Sequence, residues 1–477
     1  MTPVAKKKEE ADAEVDTKIV GVMRSGDQII LPEGMSEDTA ILWLQRKKEE
    51  EQREVAIHAQ IPGYHPLDAA HAFNLALAEL YGWTSLVPTP GFFGSTPPQM
   101  LSIVVDAEGT TRQIPWGRVK VPRITGFLNT SVAPGSNGKP AFTIGGTTKQ
   151  KDMGQVGRIV AKTQELLREK SIYRGKAVRV TFDDDNPMIA PEFMDLRGVD
   201  QRGLVFSKAI EELVDTTLWT PIRNSDDARG MNIPLKRGFL LEGPYGTGKT
   251  LCARVTAELA TRYGWTFIYL ESVNDLKQAL DFAQMYQPAI VFAEDIDRLD
   301  DGGRQEPFNE LLNTIDGVEY KRSEIFTILT TNHVERLHKS MLRPGRLDVV
   351  IEVREPDAEA AARLLALYSG ALLDPETDLT EAGRLFAGNS PAILNEVVQR
   401  AKLAALRRGG SLMLKGGDFE TSIRSLEPQL RLMKGDAIQP RKSIEIAAAE
   451  LGNALLGSAT KDLQDQMSVI KEMIENR

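Results

Sequence analysis

Eight consecutive residues, Gly243-Pro244-Tyr245-Gly246-Thr247-Gly248-Lys249-Thr250, spell G-x-x-x-x-G-K-T. They follow an apolar stretch, Gly238–Leu241, and open a segment of helical periodicity. In that setting the glycines let backbone N–H groups wrap phosphate oxygens, and the helix N-terminus adds a favourable dipole. Lys249 is the group expected to reach β- and γ-phosphates. Thr250 is the hydroxyl expected to ligate Mg²⁺.

A second cluster lies about 45 residues further on. The apolar run Ala289–Ala293 ends in Glu294 and Asp295, with Asp297 close behind. A parallel sheet presents its ligands at the carboxyl ends of its strands. There one carboxylate would hold Mg²⁺, directly or through water, and the other would orient and polarise an attacking water. A third stretch, Ile325–Thr331, is again strand-like and ends in Asn332, an amide suited to a lytic water or a γ-phosphate. Beyond it, Leu342-Arg343-Pro344-Gly345-Arg346-Leu347-Asp348 sets two arginines around a Pro-Gly turn. An arginine that reaches a γ-phosphate stabilises transition-state charge. Taken alone, the same segment also reads as a surface turn with salt-bridged arginines.

These groups need a scaffold, and the chain has room for one. Its 477 residues suggest about three domains. Residues 1–17 are charged and read as a disordered tail. Residues 18–195 read as an N-terminal region of mixed α and β, suited to a substrate, adaptor or other partner. It begins with short strands at Lys18–Met23 and Gln28–Leu31. A helix capped by Ser36 follows, then an apolar-periodic helix from Pro66 to Tyr81. Strands are expected at Leu101–Val105, Arg112–Val121 and Ala177–Phe182, with a helix near Gln155–Lys170. Trp83 and Trp116 are expected in this region's core. From 196 to 355, strands alternate with helices, which implies a parallel sheet with helices on both faces, an α/β P-loop architecture. Helices alone occupy 356–432. Two further stripes, including Leu451 and Ile470, mark a C-terminal helical extension over 433–477.

Composition narrows the function classes. Lys plus Arg is 58 against 67 for Asp plus Glu, a net charge of −9, which disfavours a chain whose main task is coating nucleic acid. The single cysteine, Cys252, excludes a disulfide framework and any multi-cysteine metal site. His58, His65 and His71 have no ligand-like spacing and read as ordinary surface or capping residues. No apolar run is long enough for a membrane span and no secretory signal opens the chain, so the expectation is a soluble, cytoplasmic protein.

Taken together, residues 198–430 resemble the AAA subgroup of AAA+ ATPases. GPYGTGKT matches Walker A, the strand ending at Glu294–Asp297 matches Walker B, and Asn332 looks like sensor 1. Leu342–Asp348 matches the second region of homology. The resemblance implies ATP and Mg²⁺ as ligands, ATP hydrolysis, a helical lid after Glu355, and a ring of identical subunits, hexameric in the family. It also implies that Arg343 and Arg346 act as fingers into the neighbouring subunit's site. By family position, Val199, Asp200 and Ala392 line the adenine pocket. Leu311–Val318, the Glu-Asp order and Thr330–Leu337 look like the mitochondrial AAA translocase that assembles the Rieske iron–sulfur protein.

Three features depart from the family pattern. Walker B reads Glu then Asp, so by position Glu294 takes the Mg²⁺ side and Asp295 the water; a competing assignment exchanges them. The pore-loop position, Glu271–Leu276, lacks the aromatic of threading motors. The lid motif reads Asn389-Ser390-Pro391-Ala392, with Ser390 as N-cap. The expected activity is remodelling, unfolding or translocation of a protein. A nucleic-acid motor or loader and a slow, nucleotide-switched scaffold are the alternatives.

Overall fold

The computed structural model describes residues 23–25, 28–30, 35–91, 94–135, 138–183, 186, 188–296, 323–336 and 345–433. The chain divides into two compact units. One runs to Leu204 and resumes over Lys208–Val353; the other combines Val205–Ser207 with the residues from Arg354 on.

The first unit opens with the hairpin of β1 (Met23–Ser25) and β2 (Gln28–Ile30). Ser36 caps the helix Glu37–Gln52, its hydroxyl accepting from the Thr39 N–H at 3.3 Å. The following strands are β3 (Glu54–Ile61), β4 (Ser85–Leu86), β5 (Thr89–Gly91), β6 (Gly94–Thr96), β7 (Gln99–Val104), β8 (Thr111–Trp116), β9 (Arg118–Lys120), β10 (Phe127–Pro134) and β11 (Pro140–Lys149). An antiparallel five-stranded sheet runs β3-β11-β10-β9-β4, while β5–β6 and β7–β8 stand as separate hairpins. The span Arg112–Val121 is therefore two strands. Gly117, at φ +93°, turns the backbone out of the β7–β8 hairpin and into the sheet.

Two helices, Pro66–Tyr81 and Met153–Glu169, pack on each other and on this sheet. Pro66 occupies the first helical turn, and the His65 ring accepts from the Leu67 N–H at 3.3 Å, so His65 is a cap. Phe73 meets Phe142 at 5.6 Å between ring centres. Trp116 packs partly buried against the same core, but Trp83 is 64% exposed. The helix ends at Gly82, φ +77°, and the chain leaves the core there.

The large sheet adds β12 (Ala177–Val180), β13 (Glu192–Phe193), β14 (Arg237–Glu242), β15 (Thr266–Leu270), β16 (Ala289–Ala293), β17 (Ile325–Thr331) and β18 (Val349–Glu352). Its order is β13-β12-β15-β16-β17-β14-β18; β13 runs antiparallel and every other pairing is parallel. Every residue of β16 and β17 is buried, as expected for strands covered on both faces. Two of the seven strands, β12 and β13, come from before residue 196. One buried core runs from Phe73, Phe142 and Ile159 through Val178 to Ile268 and Val291. The N-terminal layer and the large sheet thus share an interior.

At this junction sits a buried polar cluster. The Ser171 hydroxyl donates to Asp68 Oδ2 at 2.6 Å and the Ile172 N–H to Oδ1 at 3.0 Å. The His65 N–H donates to the Tyr286 hydroxyl at 2.9 Å, and Arg174 donates to the Gln287 carbonyl at 2.7 Å. Burial pushes the Asp68 carboxyl up to about 6, and pushes His65 and His71 down to about 4. The signs oppose. Asp68, raised on folding, stabilises below its unfolded range and loses that contribution as pH rises toward 6. The histidines, lowered on folding, cost stability below pH 4 and cease to as pH rises toward 6.5. At about 1.4 kcal/mol per pKa unit each group contributes about 3 kcal/mol, so two histidines against one carboxyl leave a net gain of about 3 kcal/mol from pH 4 to 6.5. Asp68→Asn should roughly double that gain, read as urea midpoints between pH 4.5 and 7. An unchanged slope would mean that Asp68 titrates normally in the folded chain.

The second unit is helical. Its helices Ala358–Ser369, Thr380–Phe386, Pro391–Arg408 and Gly416–Met433 close around Leu364, Phe386, Leu394 and Phe419. Asp357 caps the first, accepting from the Ala360 N–H at 2.8 Å. Ser390 and Pro391 begin the third as expected, although the Ser390 hydroxyl makes no capping hydrogen bond. The fold is thus a P-loop α/β sheet followed by an all-helical region, with an α+β layer at the N-terminal side. Among the described residues no helix is long and apolar enough to cross a membrane. Residues 297–322, and 434–477, which carry the C-terminal stripes, lie outside the described residues.

Candidate nucleotide site

The loop 243–248 joins β14 to the helix Lys249–Arg262. Gly243 stands at φ +150°, and a Cβ there would come within 2.0 Å of the Val353 carbonyl oxygen. Glycine is required here because the end of β18 crosses the loop's first residue; the Val353 N–H donates to the Glu242 carbonyl at 2.7 Å. Gly246 and Gly248, at φ +75° and +104°, continue the curl. The loop is braced by the Thr247 hydroxyl, which donates to the Pro244 carbonyl at 2.9 Å, while Tyr245 is exposed. The first N–H groups of the helix point into this cradle without intrahelical acceptors, as at every helix start.

Lys249 is buried, an uncommon place for an ammonium group unless it is well paired. Its Nζ donates to the carbonyls of Gly243 (2.6 Å) and Pro244 (2.8 Å) and to Asn332 Oδ1 (2.8 Å). The Asn332 amide in turn donates to Asp295 Oδ1 at 2.9 Å. The Thr250 hydroxyl donates to Glu294 Oε1 at 2.5 Å, and the Tyr269 hydroxyl to Glu294 Oε2 at 3.0 Å. Asp295 adopts a left-handed backbone, φ +51°, a conformation Asp tolerates better than most residues. Its N–H is held by the Thr330 hydroxyl at 3.0 Å. Two strand ends, those of β16 and β17, and one helix start therefore bring Lys249, Thr250, Glu294, Asp295 and Asn332 together.

This donor set suits a Mg²⁺-bound polyphosphate. It supplies one ammonium group, a row of helix-start N–H groups, and a hydroxyl beside a carboxylate as oxygen ligands for a hard cation. Cys252, four residues past Gly248, is fully buried and its thiol is pushed up to about 12 by burial, so it serves packing. The acidic side of the site opens into a cleft of about 510 Å³ bordered by Arg179, Tyr269, Glu271 and Asn274. Tyr269 belongs to β15.

Other expected site residues lie elsewhere. Arg346 is half-buried in the turn before β18, where Asp348 accepts from the N–H groups of Gly345 (2.7 Å) and Gly238 (3.1 Å). Arg343 lies outside the described residues. Val199 is half-buried in a loop, and the Asp200 carboxylate is engaged by the N–H (3.1 Å) and guanidinium (2.9 Å) of Arg202. Ala392 stands in the first turn of the helix Pro391–Arg408, in the second unit. The Tyr269 and Thr330 contacts are not visible in the motifs. A polar residue near the end of each strand beside the Glu-Asp pair is the one sequence signal for them.

Residues 239–355 match the family model described as "ATPase family associated with various cellular activities (AAA)". Over 288 residues the chain is 30% identical to the ATP-dependent zinc metalloprotease FtsH 2 of Symbiobacterium thermophilum, covering 56% of this chain and 47% of that protein. It is 31% identical over 332 residues to FtsH 3 of Sphaerobacter thermophilus, covering 65% and 64%. It is 31% identical over 255 residues to the 26S proteasome regulatory subunit 8 homolog of Schizosaccharomyces pombe, covering 48% and 59%. The chain thus spans about half to two thirds of the length of these relatives. Its five histidines form no H-E-x-x-H, and no group of three or more metal-binding side chains stands among the described residues. The cradle, the paired carboxylates and the strand-end amide thus stand on a parallel sheet within the segment that matches the AAA ATPase family model, residues 239–355.

Proposed function

We propose that this chain is an ATP hydrolase that works as a ring of identical subunits, six by family resemblance, and uses the ATP cycle to remodel, unfold or translocate protein. The observation that carries the ring is where Arg346 sits. The loop that would hold ATP lies at the carboxyl end of β14, after Glu242. The Arg346 carbonyl lies against Gly238, near the strand's other end. Five residues of strand separate the two, about 17 Å at 3.3–3.4 Å per residue, further than an arginine side chain extends. Arg346 is therefore suited to a neighbour's triphosphate and not to its own.

Within one subunit Lys249 binds the β- and γ-phosphates, and Thr250 and Glu294 hold Mg²⁺, which would neutralise phosphate charge when bound. The Thr250–Glu294 and Asn332–Asp295 hydrogen bonds support Glu294 on the metal side and Asp295 as the group that orients water. Arg346, with Arg343, stabilises the transferring phosphoryl from next door. Val199, Asp200 and Ala392 are assigned to the adenine. The N-terminal layer is the surface for a protein substrate or adaptor. The Glu-Asp order extends the likeness to the Rieske-protein translocase type at the level of the motor; the substrate is not carried over with it.

The test is particle size with a slowly hydrolysed ATP analogue, together with phosphate release. Wild type should grow to a ring-sized particle and hydrolyse faster per chain as protein concentration rises. Arg346→Ala should lose about 10³-fold or more in turnover while retaining ATP binding. A monomer that hydrolyses ATP at full rate with Arg346→Ala would remove the shared site.

A further inference from the structure

Glu294 is one methylene longer than the aspartate that most of the family places on the metal side, and so has one more torsion to fix. The structure fixes it from the adjacent strand. Tyr269 lies opposite Phe292 in the β15–β16 ladder, and its ring packs on Phe292 at 5.7 Å between centres. Its hydroxyl reaches Glu294 Oε2 at 3.0 Å, while the Thr250 hydroxyl holds Oε1 at 2.5 Å. The carboxylate is therefore pinned by two donors from two elements. Tyr269 is itself braced. Arg179 of β12 sits opposite it in register, with the guanidinium 5.2 Å from the ring centre, and pairs with Glu271 at 3.4 Å.

We propose that Tyr269 is a positioning residue for the metal face of the site: its hydroxyl holds Glu294 so that one carboxylate oxygen stays directed at the Mg²⁺ of bound Mg·ATP, with Arg179 fixing the ring. This rests on the ATPase reading above. When Thr250 turns an oxygen lone pair to a cation, its proton can still go to Glu294 Oε1, but that single bond leaves the longer side chain free to pivot; Tyr269, on Oε2, is the second donor that stops the rotation. The arrangement draws a residue of β12, outside the matched ATPase segment, into support of the metal site.

The test is binding of a fluorescent ATP analogue, titrated with Mg²⁺, in wild type and Tyr269→Phe, which keeps the ring and removes the hydroxyl. The Mg²⁺ concentration for half-maximal binding should rise about tenfold in Tyr269→Phe, with affinity in EDTA held within about twofold. In a Glu294→Ala background the same substitution should add nothing. A Tyr269→Phe protein that matches wild type in Mg²⁺ dependence overturns the inference. So does an equal loss of affinity in EDTA, or a shift that persists without the Glu294 carboxylate. Failure of wild type to bind the analogue with or without Mg²⁺ would overturn the site's reading as well.

Discussion

Lys249→Ala should fold and lose tight ATP binding, by about 10² to 10³-fold, the usual scale for removing a charged donor from a preorganised phosphate site. The buried Nζ already spans the two loop carbonyls and Asn332, so a phosphate replaces contacts that are in place and little has to be ordered. In the alanine protein those carbonyls lose a charged donor, a cost of about 1–3 kcal/mol if they stay dry and less if water enters. Titration with a fluorescent ATP analogue, beside a urea melt of the same sample, separates the two effects. If Lys249→Ala bound the analogue as tightly as the parent while folded, the cradle would not be where ATP sits.

The second large effect is expected at Gly238→Ala, a residue with no role in phosphate chemistry. A Cβ on Gly238 would stand 1.7 Å from the Arg346 carbonyl oxygen and 3.1 Å from Leu347 Cα. Both obstacles are backbone. They cannot swing aside, because the Asp348 N–H donates to the Gly238 carbonyl at 2.8 Å and Asp348 Oδ2 accepts from the Gly238 N–H. The turn that carries Arg346 has to move or the strand has to give. A stability loss of about 3 kcal/mol is expected, the upper range for overpacking, together with loss of the arginine's contribution to turnover. Gly157→Ala is the matched control. It is exposed in the middle of the helix Met153–Glu169 with open space around its Cβ, and should gain about 0.5–1 kcal/mol. Urea midpoints for the pair decide the matter, and a Gly238→Ala midpoint equal to the parent's would mean the close approach is absent in solution.

Legibility from sequence followed the range of the interactions. The phosphate loop, the Glu-Asp pair and Asn332 could be placed because each is a short motif at the end of a strand, and strand ends in a parallel sheet converge. Helix limits were legible where local chemistry sets them, as at Ser36 and Pro66. What could not be read depends on strand order. The alternation of elements does not say that β12 lies beside β15, so the Arg179–Tyr269–Glu294 alignment has no trace in the sequence. Asp68 meets Ser171 about a hundred residues later, and His65 meets Tyr286 more than two hundred later. Trp83 was misread because aromatic size argues for burial, while the turn at Gly82 that carries it outward is a backbone matter. The break at Gly117 was hidden for the same reason.

Because β12 and the N-terminal helices are fused into the interior of the large sheet, the chain has no clean seam at residue 196. A piece trimmed to begin there would bare the flank of β15 over Phe267–Leu270, and a naked strand flank recruits other chains. The smallest autonomous unit around the nucleotide site must therefore carry the N-terminal layer with it. On the proposed function, a substrate held by this layer would be held by the same body that binds ATP, so the two could not be exchanged between related chains like a cartridge.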